Sequence, residues 1–383
     1  DYETLQKKIT EVLNEYTLPI RNIRSFVTRV LDEGVGYGFL APLLRDPELE
    51  EIMVNGMGKH VFVYHRRHGM CKTNVSVTLH DPRVLRILTK AAKYVGRKFG
   101  EEQPLLDARL PDGSRLNATF ETVTPFGHSL TIRKFTAENY SLVDLIAKGT
   151  LSTELAAFLW AMVEGMNVQP MNVIITGGAG CGKTTLLNAL AAVVRYRERI
   201  ISIEDTTELQ FGRRENWVSL ESRPPIHRTP GTTMNELLIN AMRMRPDRII
   251  VGEVRGEEAE TLFVAMDTGH QGCMGTLHSN TAREMMVRLT TAPMMVPESL
   301  LHLLNIVVVL QKVHDPKHGM KRRIMHVTEV THLDQKVLLS NLYERSPDTD
   351  IVLRTDTPSH TLQELAEISG KNRSHVMKEI EVR

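Results

Sequence analysis

The sequence predicts an α/β fold, with a mainly parallel sheet in its C-terminal part and a smaller α+β region before it. After about residue 154, short strand-like segments alternate with helical ones, as at "NVIIT", "RIISIED", "RIIVGEV" and "CMGTLHS". This alternation is typical of a parallel sheet covered by helices. The earlier half instead has consecutive strand-like segments and a turn signal at "LPDGS", which favours hairpins.

The first 140 residues are predicted to form a helical start and one α+β domain. Residues 1–40 have the pattern of amphipathic helices, at "LQKKITEVLNEY" and "IRSFVTRVLDEG". Residues 41–140 begin with a short helix that leads to a turn at Asn55-Gly56, followed by strands at "HVFVYH" and "NVSVTL". A helix follows at "DPRVLRILTKAAKYVG", with Asp81 as its N-cap. The hairpin "DARLPDGSRLNATF" and the strand "HSLTIRKF" complete the domain.

The remaining residues are predicted to form a linker and a second domain. Residues 141–153 are the linker, and the stretch Thr136–Thr153 is the expected hinge. Residues 154–383 hold the parallel sheet. Within them, "RRIMHVTEVTHLD" is expected to add β-structure, and the tail predicts two short helices around Gly370-Lys371. The 383 residues are enough for two or three domains.

The composition is that of an ordinary globular chain and excludes several classes of protein. The 47 basic and 46 acidic residues nearly cancel, so no net field attracts nucleic acid or acidic lipid. The cysteines Cys71, Cys181 and Cys273 are far apart in sequence. They exclude a disulfide scaffold and a CxxC zinc site, and they suit a reducing cytoplasm. No apolar run approaches the ~18 residues of a membrane span, and no signal peptide is visible.

One loop carries the strongest functional signal. The pattern Gly177-x-x-x-x-Gly182-Lys183-Thr184 lies between a strand-like and a helical segment. Glycine lets backbone N–H groups converge on phosphate oxygens, and the helix N-terminus adds partial positive charge. Lys183 is expected to reach the β- and γ-phosphates of a nucleotide, and the Thr184 hydroxyl to bind Mg²⁺. The predicted nucleotide-binding residues of this loop are Gly177, Gly178, Ala179, Gly180, Cys181, Gly182, Lys183, Thr184 and Thr185, with Cys181 at a free position of the pattern.

Acidic residues at two other strand ends predict the rest of the site. Glu253 ends the strand "RIIVGEV", where open α/β sheets bind ligands. We expect it beside the metal, and a surface glutamate is the alternative. The segment "ISIEDTTELQ" brings together Glu204, Asp205 and Glu208. Carboxylates so close repel one another unless a cation such as Mg²⁺ balances them, and a solvated acidic loop is the alternative.

Two histidines flank the short strand in "DTGHQGCMGTLHSNTARE". His270 precedes the strand, and His278 follows it. A histidine at a strand end can donate a hydrogen bond to a γ-phosphate and respond to its loss. We therefore predict that both contact phosphate, while a surface or core histidine is the ordinary interpretation.

Four motifs resemble those of the secretion ATPase superfamily, the motors of type II and type IV secretion, type IV and Tad pili and the archaellum. The Walker A, Asp, Walker B and His boxes match "GGAGCGKTT", "IEDTTELQ", "RMRPDRIIVGEVRGEEA" and "TGHQGCMGTLHSN". The segments "EIMVNG", "VFVYH", "PLLDARLPDGSRLNATF" and "LTIRKF" resemble the N-terminal domain of Tad-type and archaeal members. The resemblance covers essentially the whole chain and implies a RecA-like P-loop ATPase domain. Three scattered cysteines cannot form the tetracysteine zinc insertion of many bacterial members, which favours the Tad, archaeal or type IV secretion side.

The resemblance also implies residue roles. Glu208 matches the catalytic base, while Glu204 and Asp205 would shape the outer shell of the metal. Glu253 would hold Mg²⁺ through water. The residues that would contact the nucleotide phosphates are His278, His270, Arg109, Arg115, Arg133 and Arg255. Each arginine could equally be a charge on a strand face.

The same resemblance implies ATP and Mg²⁺ as ligands and a ring of six subunits, with ATP between the two domains of each. Domain closure and release would act on a polytopic membrane platform protein, to assemble or disassemble a type IV filament or to drive secretion. The chain would work in the cytoplasm, held by partners at the inner face of the cell membrane. Structural zinc and nucleic acid are not expected.

Two alternatives remain open. The first is a RecA-like nucleic-acid motor, against which the near-zero net charge and the 5% aromatic content weigh. The second is an assembly scaffold that binds nucleotide without useful turnover, against which Glu208 and Glu253 weigh.

Overall fold

The computed structural model of the protein describes residues 2–15, 22–135, 140–223, 225, 230–315, 319–333 and 336–383. The chain divides into two compact units. The first comprises Asp1–Ala137 with His318–Met320, and the second comprises Glu138–Lys317 with Lys321–Arg383. Each unit has its own sheet and its own hydrophobic core.

The first unit is a six-stranded sheet with helices. Its elements are α1 (Tyr2–Glu15), α2 (Ile23–Gly34), α3 (Ala41–Arg45), β1 (Leu49–Asn55), β2 (His60–His65), β3 (Gly69–Ser76), α4 (Pro82–Tyr94), β4 (Leu105–Arg109), β5 (Arg115–Thr119) and β6 (Ser129–Arg133). The strand order is β3-β2-β1-β6-β5-β4, and neighbouring strands are antiparallel. One face of the sheet packs with α4 to form the core, through side chains such as Leu88, Leu116 and Ile132.

Most of the expected elements of the first unit are present, with one strand missed. Asp81 caps α4, because its carboxylate accepts a 3.0 Å hydrogen bond from the Arg83 amide. The segment before Asn55 was expected to be a short helix running into a turn, but α3 ends at Arg45 and β1 follows. Burial of Ile52 and Val54 on alternate positions, paired with β2 and β6, stabilises this strand.

The second unit is built on a nine-stranded sheet. Its elements are α5 (Leu142–Ala147), α6 (Thr153–Glu164), β7 (Val173–Gly177), α7 (Lys183–Ala191), β8 (Ile200–Glu204), β9 (Trp217–Glu221), α8 (Met234–Ala241), β10 (Arg248–Val254), α9 (Glu258–Asp267), β11 (Met274–Leu277), α10 (Ala282–Thr290), β12 (Ile306–Asp315), β13 (Gly319–Leu333), β14 (Lys336–Arg345), β15 (Val352–Arg354), α11 (His360–Ser369) and α12 (Arg373–Val382). The strand order is β15-β14-β13-β12-β7-β11-β10-β8-β9.

Six strands of this sheet, from β12 to β9, are parallel. Helices cover both faces, since Val173 and Ile175 of β7 belong to one core cluster and Ile174 to the other. Burial on both faces explains why these strands are continuous apolar runs. The carboxyl ends of β7, β8, β10 and β11 therefore meet at one edge of the sheet. The α/β prediction, with a mainly parallel sheet after a smaller α+β part, is confirmed.

The additions to the parallel sheet also follow the expected pattern. Strands β13, β14 and β15 extend the sheet beyond β12, and the pairs β13–β14 and β14–β15 are antiparallel. Gly370 is the C-cap of α11, and its φ of 65° is the left-handed conformation of a helix C-cap. The predicted linker 141–153 includes α5, whose Leu142 and Leu145 are buried in the core of the second unit. Residues 136–139 of the predicted hinge lie outside the described residues. Among those described, no helix combines the length and apolar composition needed to cross a membrane.

Candidate active site

The glycine-rich loop lies between β7 and α7 at the carboxyl edge of the parallel strands. Gly180 and Gly182 have φ values of 68° and 97°, which side-chain-bearing residues rarely adopt. A Cβ on Gly177 would come within 2.3 Å of the Leu310 carbonyl oxygen and 2.6 Å of the Cys181 sulfur. Glycine is therefore required by backbone shape at two positions and by close packing at a third. Thr184 and Thr185 follow in the first turn of α7, whose free N–H groups favour an anion.

Lys183 is held inside this loop. Its side chain is buried, and its ammonium donates hydrogen bonds to the carbonyl oxygens of Gly177 and Gly178, both at 2.9 Å. The ammonium also lies 3.3 Å from Nδ1 and 3.5 Å from Nε2 of His278. Because Nε2 also faces a carboxylate oxygen of Glu253, a neutral ring with its hydrogen on Nε2 suits both neighbours.

His278 connects the loop to the acidic strand end. Its Nε2 lies 3.1 Å from one carboxylate oxygen of Glu253, and Arg255 lies 2.6 Å from the other. Burial, together with the nearby Lys183 charge, lowers the pKa of His278 and favours the neutral ring. The second guanidinium nitrogen of Arg255 lies 3.7 Å from the Asp205 carboxylate. The structure thus brings five predicted residues into one continuous network.

The charge on Glu253 is maintained by its neighbours. Burial opposes ionisation of this carboxyl, but the hydrogen bond from Arg255 and the nearby positive charges outweigh burial and lower its pKa. Glu253 is therefore an anion at neutral pH. An anionic carboxylate beside a phosphate-binding loop is the arrangement that a divalent metal requires.

The loop after β8 carries the other acidic candidates. Glu204, the last residue of β8, is buried, and one of its oxygens accepts hydrogen bonds from the amides of Glu208 and Leu209, at 2.8 and 2.9 Å. Burial raises the pKa of Glu204 to about 7. Asp205 is exposed and accepts a 2.7 Å hydrogen bond from the Ser222 hydroxyl. Glu208 is half-buried at this edge.

His270 is not brought to the loop. It precedes β11, whereas the loop and His278 lie at the carboxyl ends of β7 and β11, which run parallel. The four-residue strand separates the two ends by on the order of 10 Å. The His270 ring contacts the Ala265 carbonyl oxygen at 3.1 Å instead. The prediction that His270 contacts the γ-phosphate at the loop of its own chain is therefore corrected, since its ring closes the turn after α9.

The three predicted arginines of the first unit lie side by side. Cross-strand pairing sets Arg109 opposite Arg115 and Arg115 opposite Arg133, so they form one row across β4, β5 and β6. The row is on the face opposite the core, because the neighbouring Leu116 points inward. Glu51 lies opposite Arg133 at one end of the row. The row is a cationic strip within the first unit.

Two contacts near the loop have no counterpart in the sequence motifs. Arg322 on β13 donates a 2.9 Å hydrogen bond to the Gly180 carbonyl oxygen. Asn188 on α7 accepts a 2.9 Å hydrogen bond from the Gln210 amide. Arg322 lies far along the chain from the loop and belongs to no motif, so sequence spacing does not connect it with the loop. The only signal in the sequence is a basic residue in the β-segment that follows the parallel strands.

The fold and the loop together define a protein of the P-loop class. Residues 33–367 match the family model described as type II/IV secretion system protein. The chain therefore belongs to this family, as the resemblance of its four motifs predicts.

Several named proteins are similar to this chain in sequence, and one solved structure is similar in fold. Uncharacterized protein MJ0781 of Methanocaldococcus jannaschii is 46% identical over 72% of this chain, and uncharacterized protein MJ0900 of the same organism is 35% identical over 90%. The type IV secretion system protein PtlH of Bordetella pertussis is 32% identical over 75% of this chain and 92% of its own length. The pilus retraction motor PilT, solved with bound ADP, shares the fold with a TM-score of 0.55 at 19% identity, over 79% of this chain and 82% of PilT.

The chain spans only part of the two archaeal relatives. It covers 38% of the length of MJ0781 and 59% of the length of MJ0900.

Proposed function

We propose that this protein is a motor ATPase that binds Mg–ATP at the glycine-rich loop and hydrolyses it. The observation that carries the proposal is the unbroken chain of contacts from Lys183 through His278 to Glu253. It places an ammonium and an ionised carboxylate together at the edge where parallel sheets bind ligands. The ammonium would bind the negatively charged triphosphate, and the carboxylate would bind the cation that accompanies it.

The residues at this edge have different roles in hydrolysis. Lys183, the loop amides and the first turn of α7 bind the phosphates and stabilise charge that develops on the transferred phosphoryl group. Glu208 orients the attacking water and accepts its proton. His278 reports loss of the γ-phosphate to Glu253 through the hydrogen bond that joins them.

The donor set fits Mg²⁺. The described residues contain no cluster of three or more His, Cys, Asp or Glu able to hold a metal by themselves. Mg²⁺ usually binds through one or two carboxylates together with substrate phosphates, so Glu253 and the Thr184 hydroxyl suit this ion. When bound, the ion would neutralise charge on the β- and γ-phosphates.

The family resemblance implies that the cationic strip of Arg109, Arg115 and Arg133 contacts nucleotide phosphate. Guanidinium groups make bidentate contacts with phosphate oxygens. Arg115→Ala should then lower turnover while the variant stays folded with a nearly unchanged melting temperature. A loss of turnover that is accompanied by unfolding would assign Arg115 to the sheet alone.

The work driven by hydrolysis is proposed from the family. Its members include a type IV secretion protein, and a pilus retraction motor shares the fold. We place this chain in a homohexameric ring at the inner face of the cell membrane, where it acts on a polytopic platform protein. The ring would assemble or disassemble a type IV filament or drive type II or type IV secretion.

The test is a steady-state assay of phosphate release with wild type and Lys183→Ala. Wild type should release phosphate only with Mg²⁺, and Lys183→Ala should lose release and nucleotide binding together. Unaltered turnover in Lys183→Ala would overturn the site. Stimulation by single-stranded DNA would favour a nucleic-acid motor, and tight binding without release would favour a scaffold.

A further inference from the structure

The loop that carries Glu208 is irregular in backbone. Residues 205–210 lie between β8 and β9 and belong to neither a helix nor a strand. Four consecutive amides of this loop instead donate to side-chain oxygens. Their pairs are Thr207 with Glu221 at 3.3 Å, Glu208 with Glu204 at 2.8 Å, Leu209 with Glu204 at 2.9 Å, and Gln210 with Asn188 at 2.9 Å. Three side chains, those of Glu204, Glu221 and Asn188, therefore help to hold the shape of this loop.

Glu204 holds the two central amides with a single oxygen. Its side chain is closed to solvent, with 2% of the residue exposed. It is wedged against β10, since a Cβ on Gly252 would lie 2.8 Å from the Glu204 Cγ. The carboxyl is thus fixed from one side by packing and from the other by two hydrogen bonds.

The neighbouring Asp205 lies in a different environment from Glu204. Asp205 is exposed and is reached by the Arg255 guanidinium at 3.7 Å, so it belongs to the charged network around Glu253. Glu204 faces backbone amides and the sheet interior instead. Its neighbours along the sheet and along the loop leave it no exposed surface from which to share a hydrated metal ion.

We infer that Glu204 is a positioning residue for the proposed hydrolysis, which holds the backbone of Glu208 and thereby aims the Glu208 carboxylate at the attacking water. This role rests on the proposed function of Glu208. It replaces the expectation that Glu204 shapes the outer shell of the metal. Misplacement of a catalytic group by about 1 Å can reduce turnover about 100-fold, so loss of this anchor should act on kcat and spare nucleotide binding.

The experiment combines hydrogen exchange with kinetics on the full chain. Three variants are compared with wild type: Glu204→Ala, which removes the acceptor; Glu204→Gln, which keeps one carbonyl oxygen for both amides; and Glu208→Gln, which leaves the acceptor intact. Exchange of the amides of Glu208 and Leu209 is followed by mass spectrometry with residue-level fragmentation. Nucleotide Kd and kcat are measured on the same preparations.

Glu204→Ala should expose the two amides to exchange and lower kcat about 100-fold, with Kd changed less than about threefold. Glu204→Gln should keep the amides protected and recover most of kcat. Glu208→Gln should lose turnover while both amides stay protected. Unchanged protection in Glu204→Ala, or lost protection with unaltered kcat, would overturn the inference.

Two further outcomes are distinguishable. If Glu204→Ala does not fold, Asn188→Ala is used instead, because this variant removes only the acceptor of the Gln210 amide. Asn188→Ala should increase hydrogen exchange in the loop and lower kcat less than about tenfold. Unaltered exchange in the loop would count against anchoring by side chains. If wild type shows no hydrolysis, the proposed function fails. The exchange data then still decide whether Glu204 shapes the loop.

Discussion

The amino ends of the parallel strands form one edge of the sheet, the amino edge, and their carboxyl ends form the opposite one, the carboxyl edge. The two edges hold their charged residues in different ways. At the amino edge, Arg248 is almost fully buried and donates a 2.5 Å hydrogen bond to the Glu198 carboxylate. At the carboxyl edge, Lys183 is held by backbone carbonyl oxygens and the ring of His278. The pairing of Arg248 with a carboxylate stabilises the fold, whereas the hydrogen bonds from Lys183 to carbonyl oxygens hold its ammonium at the phosphate-binding loop.

The comparison shows why residue type alone does not identify a site. His270 and His278 lie at opposite ends of one short strand, yet only His278 contacts charged groups of the loop. Parallel strands place their carboxyl ends beside helix N-termini with free N–H groups, so phosphate chemistry is concentrated at that edge.

The largest expected effect separates catalytic acids at the carboxyl edge from acids at the amino edge. Glu208→Gln should lower kcat about 1,000-fold, because it removes the group that accepts the water proton, while the Kd for ATP stays within about threefold. Glu215→Gln, a matched change of an exposed acid before β9, should leave kcat within about twofold. Phosphate release measures both, and normal turnover in Glu208→Gln would contradict the assignment of the base.

The next effect is on stability. Arg248→Met should destabilise the second unit by about 3 kcal/mol, because it leaves a partly buried Glu198 with one cation fewer. Arg255→Met removes an ion pair whose arginine is 58% exposed, so its cost should stay below about 1 kcal/mol. Thermal unfolding of both variants tests the contrast, and equal melting temperatures would remove the distinction between the two edges.

A pH dependence should follow from Glu204. Burial raises its pKa in the folded chain to about 7, above the ordinary value of 4.5. The protonated form is therefore favoured by folding, and the stability it contributes is complete below pH 4.5 and is lost as pH rises through 7. Between pH 5 and 7, wild type should lose about 2 kcal/mol relative to Glu204→Gln. Melting curves across this range measure the difference, and a constant gap would show that the carboxyl does not titrate there.

The smallest effect compares the two histidines. His278→Ala should lower kcat about tenfold, because it breaks one hydrogen bond to the charged Glu253. His270→Asn should change kcat less than about twofold, since the His270 ring contacts the Ala265 carbonyl oxygen and an amide can donate to that acceptor. Phosphate release under saturating ATP measures both, and similar losses in the two variants would contradict the separation of the edges.

Features encoded in short segments could be predicted from the sequence. The loop between β7 and α7 depends on glycines within six residues, and the carboxyl-edge position of Glu253 follows from its strand. The strand β1 could not be predicted, because Glu50 and Glu51 beside apolar residues also suit a helix. Pairing with β2 and β6, which lie apart in sequence, determines that strand.

Roles that depend on the orientation of a side chain could not be predicted from the sequence either. The acidic cluster after β8 predicted a metal environment, but Glu204 turns back to two backbone amides. A carboxylate can accept hydrogen bonds from backbone amides as well as bind a metal, and sequence spacing does not distinguish the two cases. Arg322 reaches the Gly180 carbonyl oxygen from 142 residues away, a contact that only the tertiary fold creates.

Hydrogen exchange of the full chain, with and without Mg²⁺ and a non-hydrolysable ATP analogue, shows at which end of the parallel strands the nucleotide binds. We expect protection at residues 177–185, 204–209, 252–255 and 277–279, with the amino-edge residues 195–199, 213–216 and 243–248 unchanged. Protection at the amino edge without protection of the loop would contradict this expectation.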